Sequence, residues 1–294
     1  MYVSHAFFPE RYDMPGHDET DEKPSVTQEH IDEMLVTKTA ERFTGPDLSR
    51  ETSDVIVEGR LEITARGSEV VSLTASPEAW DELALGFLFF HGVRVGGADI
   101  LSVSIEEGGR GAVVDVDVEP ESIRRVMGKG LDPMITDDHR TIVENPPKTA
   151  GSAGGGTMTP ERIFSLMRLL ETHSAIHDRT HGSHIALLVD GDEAVAARSD
   201  ISRRSAIDKV AGFALINDIP TDGLVLLSSG RVASDIVTRA RLMGVSALIS
   251  RSAATDRGVE SAQDAGLLLV GLVRNGSFLV YSGLGRVGTS PQYR

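Results

Sequence analysis

Asp200–Ile216, DISRRSAIDKVAGFALI, is the stretch from which the fold is read. Ala206, Ile207, Val210, Ala211, Ala214 and Leu215 recur at helical spacing, which predicts a helix with a buried stripe. Ser205, followed three residues later by Asp208, matches a capping box and predicts the helix start there. Arg203 and Arg204 stand just before it. A helix N-terminus already carries unpaired N–H groups and partial positive charge. Two cations at that point either await an anion such as a phosphate or are neutralised by Asp200 and Asp208.

Strands and helices alternate outward from this helix. His184–Val189 and Ala194–Arg198 read as strands around Asp190-Gly191. Gly223–Leu227 and Ser246–Ser250 read as strands separated by a helix over Val232–Met243. A further helix begins at Ser252–Thr255 and ends at Ala265-Gly266, and Leu267–Val273 and Phe278–Tyr281 read as strands around Asn275-Gly276. Thr159-Pro160-Glu161 opens a helix through Ile163, Met167 and Leu170. The pattern predicts an α/β (α+β) fold, a mixed sheet flanked by helices.

The N-terminal half reads differently. Asp54–Ser76 alternates apolar and polar residues, with Gly59 and Gly67 between the runs, and predicts three strands of an antiparallel meander. Ser76-Pro77-Glu78 then opens a helix, with Ser76 as N-cap, that runs through Trp80, Leu83, Phe87 and Leu88 to His91-Gly92. Ile100–Glu106 and Ala112–Val118 suit a hairpin, and Glu119–Asp138 a short helix and loop. Glu144–Thr159, ENPPKTAGSAGGGTMT, is too rich in Pro and Gly for regular structure, so it is a linker or a functional loop. Residues 1–45 are polar and read as a mobile tail, with room for a short helix in Val26–Phe43. The expected division is a tail over 1–45, an α+β subdomain over 46–143, a Gly/Pro-rich loop over 144–159 and an α/β domain over 160–294.

Composition excludes several classes of function. A net charge of −15 argues against a general grip on nucleic acid. No apolar run reaches the roughly 18 residues of a membrane span, and the N-terminus lacks the pattern of a secretory signal. A cytoplasmic location is therefore expected. There is no cysteine, which removes disulfides, thiolate nucleophiles and cysteine-based zinc sites. His173, His177, His181 and His184 would share a face of one unbroken helix, but Gly182 and the strand-like IALLV end the helix before His184, and no metal site is expected.

Ligands of such sheets bind where loops leave the carboxyl ends of the strands. Two successive loops place Ser229, Gly230 and Arg231, then Arg251, Ser252 and Thr255, at that edge. Gly230 lets a ligand approach backbone N–H groups, and Arg231 suits a phosphate. Ser229 and Thr255 equally suit plain N-caps. No Walker motif or GxSxG is present, and the GLGRVG at Gly283–Gly288 is a chance match, with too little chain after it for a dinucleotide fold.

These motifs resemble the formate dehydrogenase accessory family known as FdhD. DELALGFL at Asp81–Leu88, His181-Gly182-Ser183-His184, Asp200–Lys209, Ser229-Gly230-Arg231, Ser252-Ala253-Ala254-Thr255 and GLVRNGSFLVY at Gly271–Tyr281 follow the family's order between Asp54 and Tyr281. The resemblance implies a cytidine-deaminase-like main domain with a smaller N-terminal subdomain, a homodimer, and an accessory role toward formate dehydrogenase. It implies transfer of sulfur from a cysteine desulfurase to a molybdenum or tungsten bis-guanine-dinucleotide cofactor, of which GDP is a partial mimic. By motif, the cofactor-binding set becomes His184, Asp200, Arg203, Asp208, Lys209, Ser229, Gly230, Arg231, Ser252 and Thr255, with Leu272, Val273, Arg274, Asn275, Gly276 and Ser277 as a contacting segment.

The departures bear on chemistry. In that family the sulfur carrier is a cysteine in a Gly-rich loop, whose place Ser152 takes here, with Gly155 at the position of a second cysteine. A hydroxyl cannot form a persulfide. The family's GRHN reads Ser202-Arg203-Arg204-Ser205. Three functions follow as expectations: a cofactor carrier without sulfur transfer, a nucleotide-acting hydrolase or transferase using Ser152 with His184 and Asp200, or a scaffold paired with a cysteine-bearing homologue.

Overall fold

The structure, a computed structural model, describes residues 28–93, 100–118 and 156–288. Its first elements are a short helix, α1 (Gln28–Glu33), and a long hairpin of β1 (Leu35–Thr44) and β2 (Asp47–Ile56). The short helix expected within Val26–Phe43 is α1, and the described residues after it, expected to continue a polar tail, form strand β1 instead. Thr37, Thr39, Thr44 and Phe43 favour extended backbone, and Gly45-Pro46 turns the chain.

The expected meander is also rearranged. β3 (Gly59–Ala65) pairs with β4 (Ser68–Ala75), but β2 pairs with β1. On its other side β3 runs parallel to β6 (Gly111–Val118), the partner of β5 (Ile100–Gly108), giving the order β4-β3-β6-β5. Leu61, Ile63, Val114 and Val116 of this sheet are buried against α2 (Trp80–Phe90). The N-cap of α2 is Ala79, whose φ of 50° is left-handed, so Ser76 is not its cap. Ser76 has a different use, given below.

The second sheet has the order β12-β11-β10-β9-β7-β8. After α3 (Pro160–Thr172), capped by Thr159 as expected, come α4 (Ala175–Thr180), β7 (His184–Asp190) and β8 (Glu193–Asp200). α5 (Arg203–Ile216), β9 (Val225–Ser228), α6 (Ser234–Leu242) and β10 (Ala247–Ser250) follow. α7 (Asp256–Ala265), β11 (Leu268–Arg274) and β12 (Ser277–Ser282) complete the sheet. Asn275 and Gly276, with φ of 53° and 71°, form the tight turn between the last two strands.

β9 and β10 are buried on both faces, as central strands covered by helices must be. Leu226 and Leu248 face α5, α6 and α7, while Leu227 and Ile249 face α3. Each such side chain removed from water contributes about 1.5–3 kcal/mol. α5 starts two residues before the expected capping box. Its N-cap is Ser202, whose hydroxyl accepts from the Ser205 amide, so Arg203 and Arg204 lie inside the first turn. No described helix is long and apolar enough to cross a membrane.

Candidate functional site

β8, β9, β10 and β11 run in one direction and β7 and β12 in the other. Asp200, Ser228, Ser250 and Arg274 therefore end at one edge of the sheet, where His184 and Ser277 begin. Two serines outside the expected cofactor-binding set shape the loops there. Ser228 Oγ accepts from the Gly230 amide at 3.1 Å, and Ser250 Oγ accepts from the Ser252 amide at 3.0 Å. Each serine closes a strand and turns the chain by a local side-chain bond. Ser250 Oγ also donates to the Gly230 carbonyl at 2.7 Å, which ties the two loops together.

The Gly230 amide is thus used within the protein rather than left open to a ligand. Gly230 has a different necessity. A Cβ there would lie 2.9 Å from Arg203 Cβ and 3.5 Å from His184 Nδ1. Its bareness lets Arg203 and His184 close on the turn. Ser229 caps no helix; its Oγ accepts from the Ile185 amide at 3.0 Å and lies 3.5 Å from His184 Nδ1. Burial, then Arg203 and His177, hold the His184 imidazole below the ordinary histidine range. Thr255 is a plain N-cap, accepting from the Gly258 amide.

The segment after β10 leans on β11: the Leu272 amide donates to the Ser252 carbonyl at 3.0 Å. Leu272 has a φ of 54°, a conformation costly for a branched side chain. Val273 is buried in the core, whereas Arg274, Asn275, Gly276 and Ser277 are exposed.

Asp200, Asp208 and Lys209 stand behind the edge. Asp200 and Lys209 are both fully buried and form an ion pair at 2.8 Å. The Asp200 carboxylate also accepts from the amides of Ser76 and Ser202, and Ser76 Oγ accepts from the Ile201 amide. This stitches the entry of α2 to the end of β8. Asp208 pairs with Arg239 at 2.7 Å, with Arg239 5.1 Å over the Phe90 ring. Burial pushes the Asp208 carboxyl up despite Arg239. Arg204 pairs with Asp235. Burial opposes the Asp235 charge, but Arg204, with Arg239 and Arg203, holds its carboxyl below the usual range.

Arg231, Arg251 and Arg274 are exposed along the same edge, and no described carboxylate pairs with them. On a chain of net charge −15 this rim is a local concentration of positive charge. The four closely spaced histidines do not share a helix, because α3 ends at Thr172 and His184 opens β7. Among the described residues no group of three potential ligands could hold a metal ion. Ser152 lies outside the described residues. Just after Gly156, the Met158 amide donates to the Arg286 carbonyl. Arg286 reaches the Ser246 carbonyl, beside the start of β10 and so at the edge opposite His184.

Residues 56–288 match the FdhD/NarQ family. The chain is 33% identical to the sulfur carrier protein FdhD of Bacillus licheniformis over 250 residues, 82% of this chain and 92% of that one. It is 31% identical to the sulfur carrier protein FdhD of Bacillus subtilis over 261 residues, 85% and 97% of the two chains. A crystal structure provisionally described as a formate dehydrogenase accessory protein, from Desulfotalea psychrophila, superposes with a TM-score of 0.68 at 19% identity. That superposition covers 87% of this chain and 100% of that chain, and shows a shared fold. The match takes in both sheets and every loop of the arginine-lined edge while leaving out most of the β1–β2 hairpin, and on it the chain belongs to the FdhD/NarQ family.

Proposed function

We propose that this protein serves formate dehydrogenase maturation as a cofactor carrier that binds a molybdenum or tungsten bis-guanine-dinucleotide cofactor without itself carrying sulfur. The observation that supports it is the rim of Arg231, Arg251 and Arg274, cationic groups without described partners where four parallel strands end. Guanidinium forks match phosphate oxygens, so the donor set fits the cofactor's phosphates. When bound, the cofactor supplies redox chemistry at its metal. The chain's own residues do the rest. Arg231 and Arg274 hold phosphates, Ser228 and Ser250 fix the two loops, and Gly230 lets Arg203 approach.

Sulfur transfer is left out of this reading because the chain has no cysteine. Sulfur would come from a cysteine-bearing homologue or a cysteine desulfurase acting on the bound cofactor. The reading places the protein in the cytoplasm as a homodimer, which sedimentation tests.

Calorimetry with GDP tests the proposal. Binding to the wild type and at least tenfold weaker binding to Arg231→Ala, with unchanged thermal unfolding, are expected. No affinity for GDP would overturn it. Co-purification with a cysteine-bearing homologue would then favour a scaffold.

A further inference from the structure

The two nitrogens of the half-buried His184 imidazole have different surroundings. Nδ1 is 3.5 Å from Ser229 Oγ, and that oxygen already accepts from the Ile185 amide. The Ser229 hydroxyl keeps a hydrogen that it can donate to Nδ1, and with that donation the hydrogen of the neutral ring lies on Nε2. Among the described residues nothing pairs with Nε2.

The charged groups around the ring come from four elements: Arg203 from α5, Arg231 from the loop after β9, His177 from α4 and Asp200 from β8. The Asp200 carboxylate is committed to Lys209, Ser76 and Ser202. The ring therefore sits between two guanidiniums and one spoken-for carboxylate. Burial, then Arg203 and His177, hold its pKa below the ordinary histidine value, and an anion entering beside it would oppose that shift.

We propose that His184 takes up one proton when a phosphate-bearing ligand enters this site, making it the proton-linked donor for that ligand. The inference rests on the reading of the edge as a phosphate site. The proton passes from solvent to Nδ1. The Ser229 hydroxyl rotates from donating to accepting, and Nε2–H is free to donate to a phosphate oxygen. No other bond changes. Ser229 is a positioning residue that accommodates both states of the ring.

The probe is GDP-glucose, whose diphosphate is a diester and has no ionisation of its own near neutral pH. Its binding enthalpy at pH 7 is measured in buffers of different ionisation enthalpy, using the full chain. Net uptake of a substantial fraction of one proton per site is expected in the wild type, and none in His184→Gln, which keeps a donor but does not titrate. Because the bound ring has the higher pKa, affinity should rise as pH falls, by at most about tenfold per unit. Binding without proton uptake, or equal uptake in His184→Gln, would overturn the proposal while leaving the phosphate site standing. Absence of GDP-glucose binding would overturn this proposal, and the phosphate site falls with it if GDP does not bind either.

Discussion

Gly86 and Gly212 lie where α2 crosses α5, each against the other helix's backbone. A Cβ on Gly86 would stand 1.9 Å from the Asp208 carbonyl oxygen, and one on Gly212 would stand 1.9 Å from that of Glu82. The helices meet backbone to backbone, and through them the N-terminal sheet is fixed to the sheet that carries the site. Alanine is normally favoured over glycine inside a helix by about 1 kcal/mol. Here the added methyl has no room, and rigid backbone cannot swing aside. Gly86→Ala and Gly212→Ala should each destabilise by about 3 kcal/mol or more, read as a lower urea midpoint.

The residues most like the family motif sort by burial into two kinds. Asp200→Asn leaves Lys209 buried without its ion-pair partner, and Arg239→Met does the same to Asp208. Breaking a buried pair from one side costs about 3–5 kcal/mol. Both variants should lose stability on that scale in denaturant titrations. Arg231→Ala, at an exposed position, should leave the unfolding midpoint within about 0.5 kcal/mol of wild type.

Glu82 and Arg198 give a pH signature. Their carboxylate and guanidinium meet at 2.6 Å in a forked, buried contact where α2 lies against β8. Burial pushes the Glu82 carboxyl up to about 7, against the pull of Arg198. A raised pKa means that the folded state holds its proton more tightly than the unfolded chain. The stabilisation is complete below the unfolded value, near 4.3, and is lost as pH rises through about 7. Urea midpoints from pH 5 to 7.5 should fall in the wild type. In Glu82→Gln they should fall less over the same window.

The α/β half was legible because its strands are continuous apolar runs and its turns carry Gly or a capping Thr. Thr159, Thr255 and Asn275-Gly276 behave as their local chemistry dictates. Ser76 and Ser205 were misread because each fits a local cap, while tertiary contacts assign the cap to Ser202 and join Ser76 to β8. The parallel pairing of β3 with β6 joins segments about fifty residues apart, which no local pattern encodes. At the site, the rim arginines could be named from sequence. The partners of Asp200, Asp208 and Arg204 could not, because Lys209, Arg239 and Asp235 are ordinary charged residues until folding buries them.

Ser250 offers the sharpest separation of loop geometry from charge. Its hydroxyl accepts from the Ser252 amide and donates to the Gly230 carbonyl, so one side chain sets the spacing of both loops. It is fully buried, and water cannot replace it. Ser250→Ala leaves the Gly230 carbonyl without its donor, at a cost of about 1–3 kcal/mol. It changes no charge, so the salt dependence of GDP binding should keep its slope while affinity falls severalfold. Arg231→Ala should instead reduce that slope, because one phosphate contact is gone. Calorimetry of both variants from low to moderate salt distinguishes the two effects. Ser250→Ala binding as tightly as wild type would mean that the rim arginines act without the loop frame.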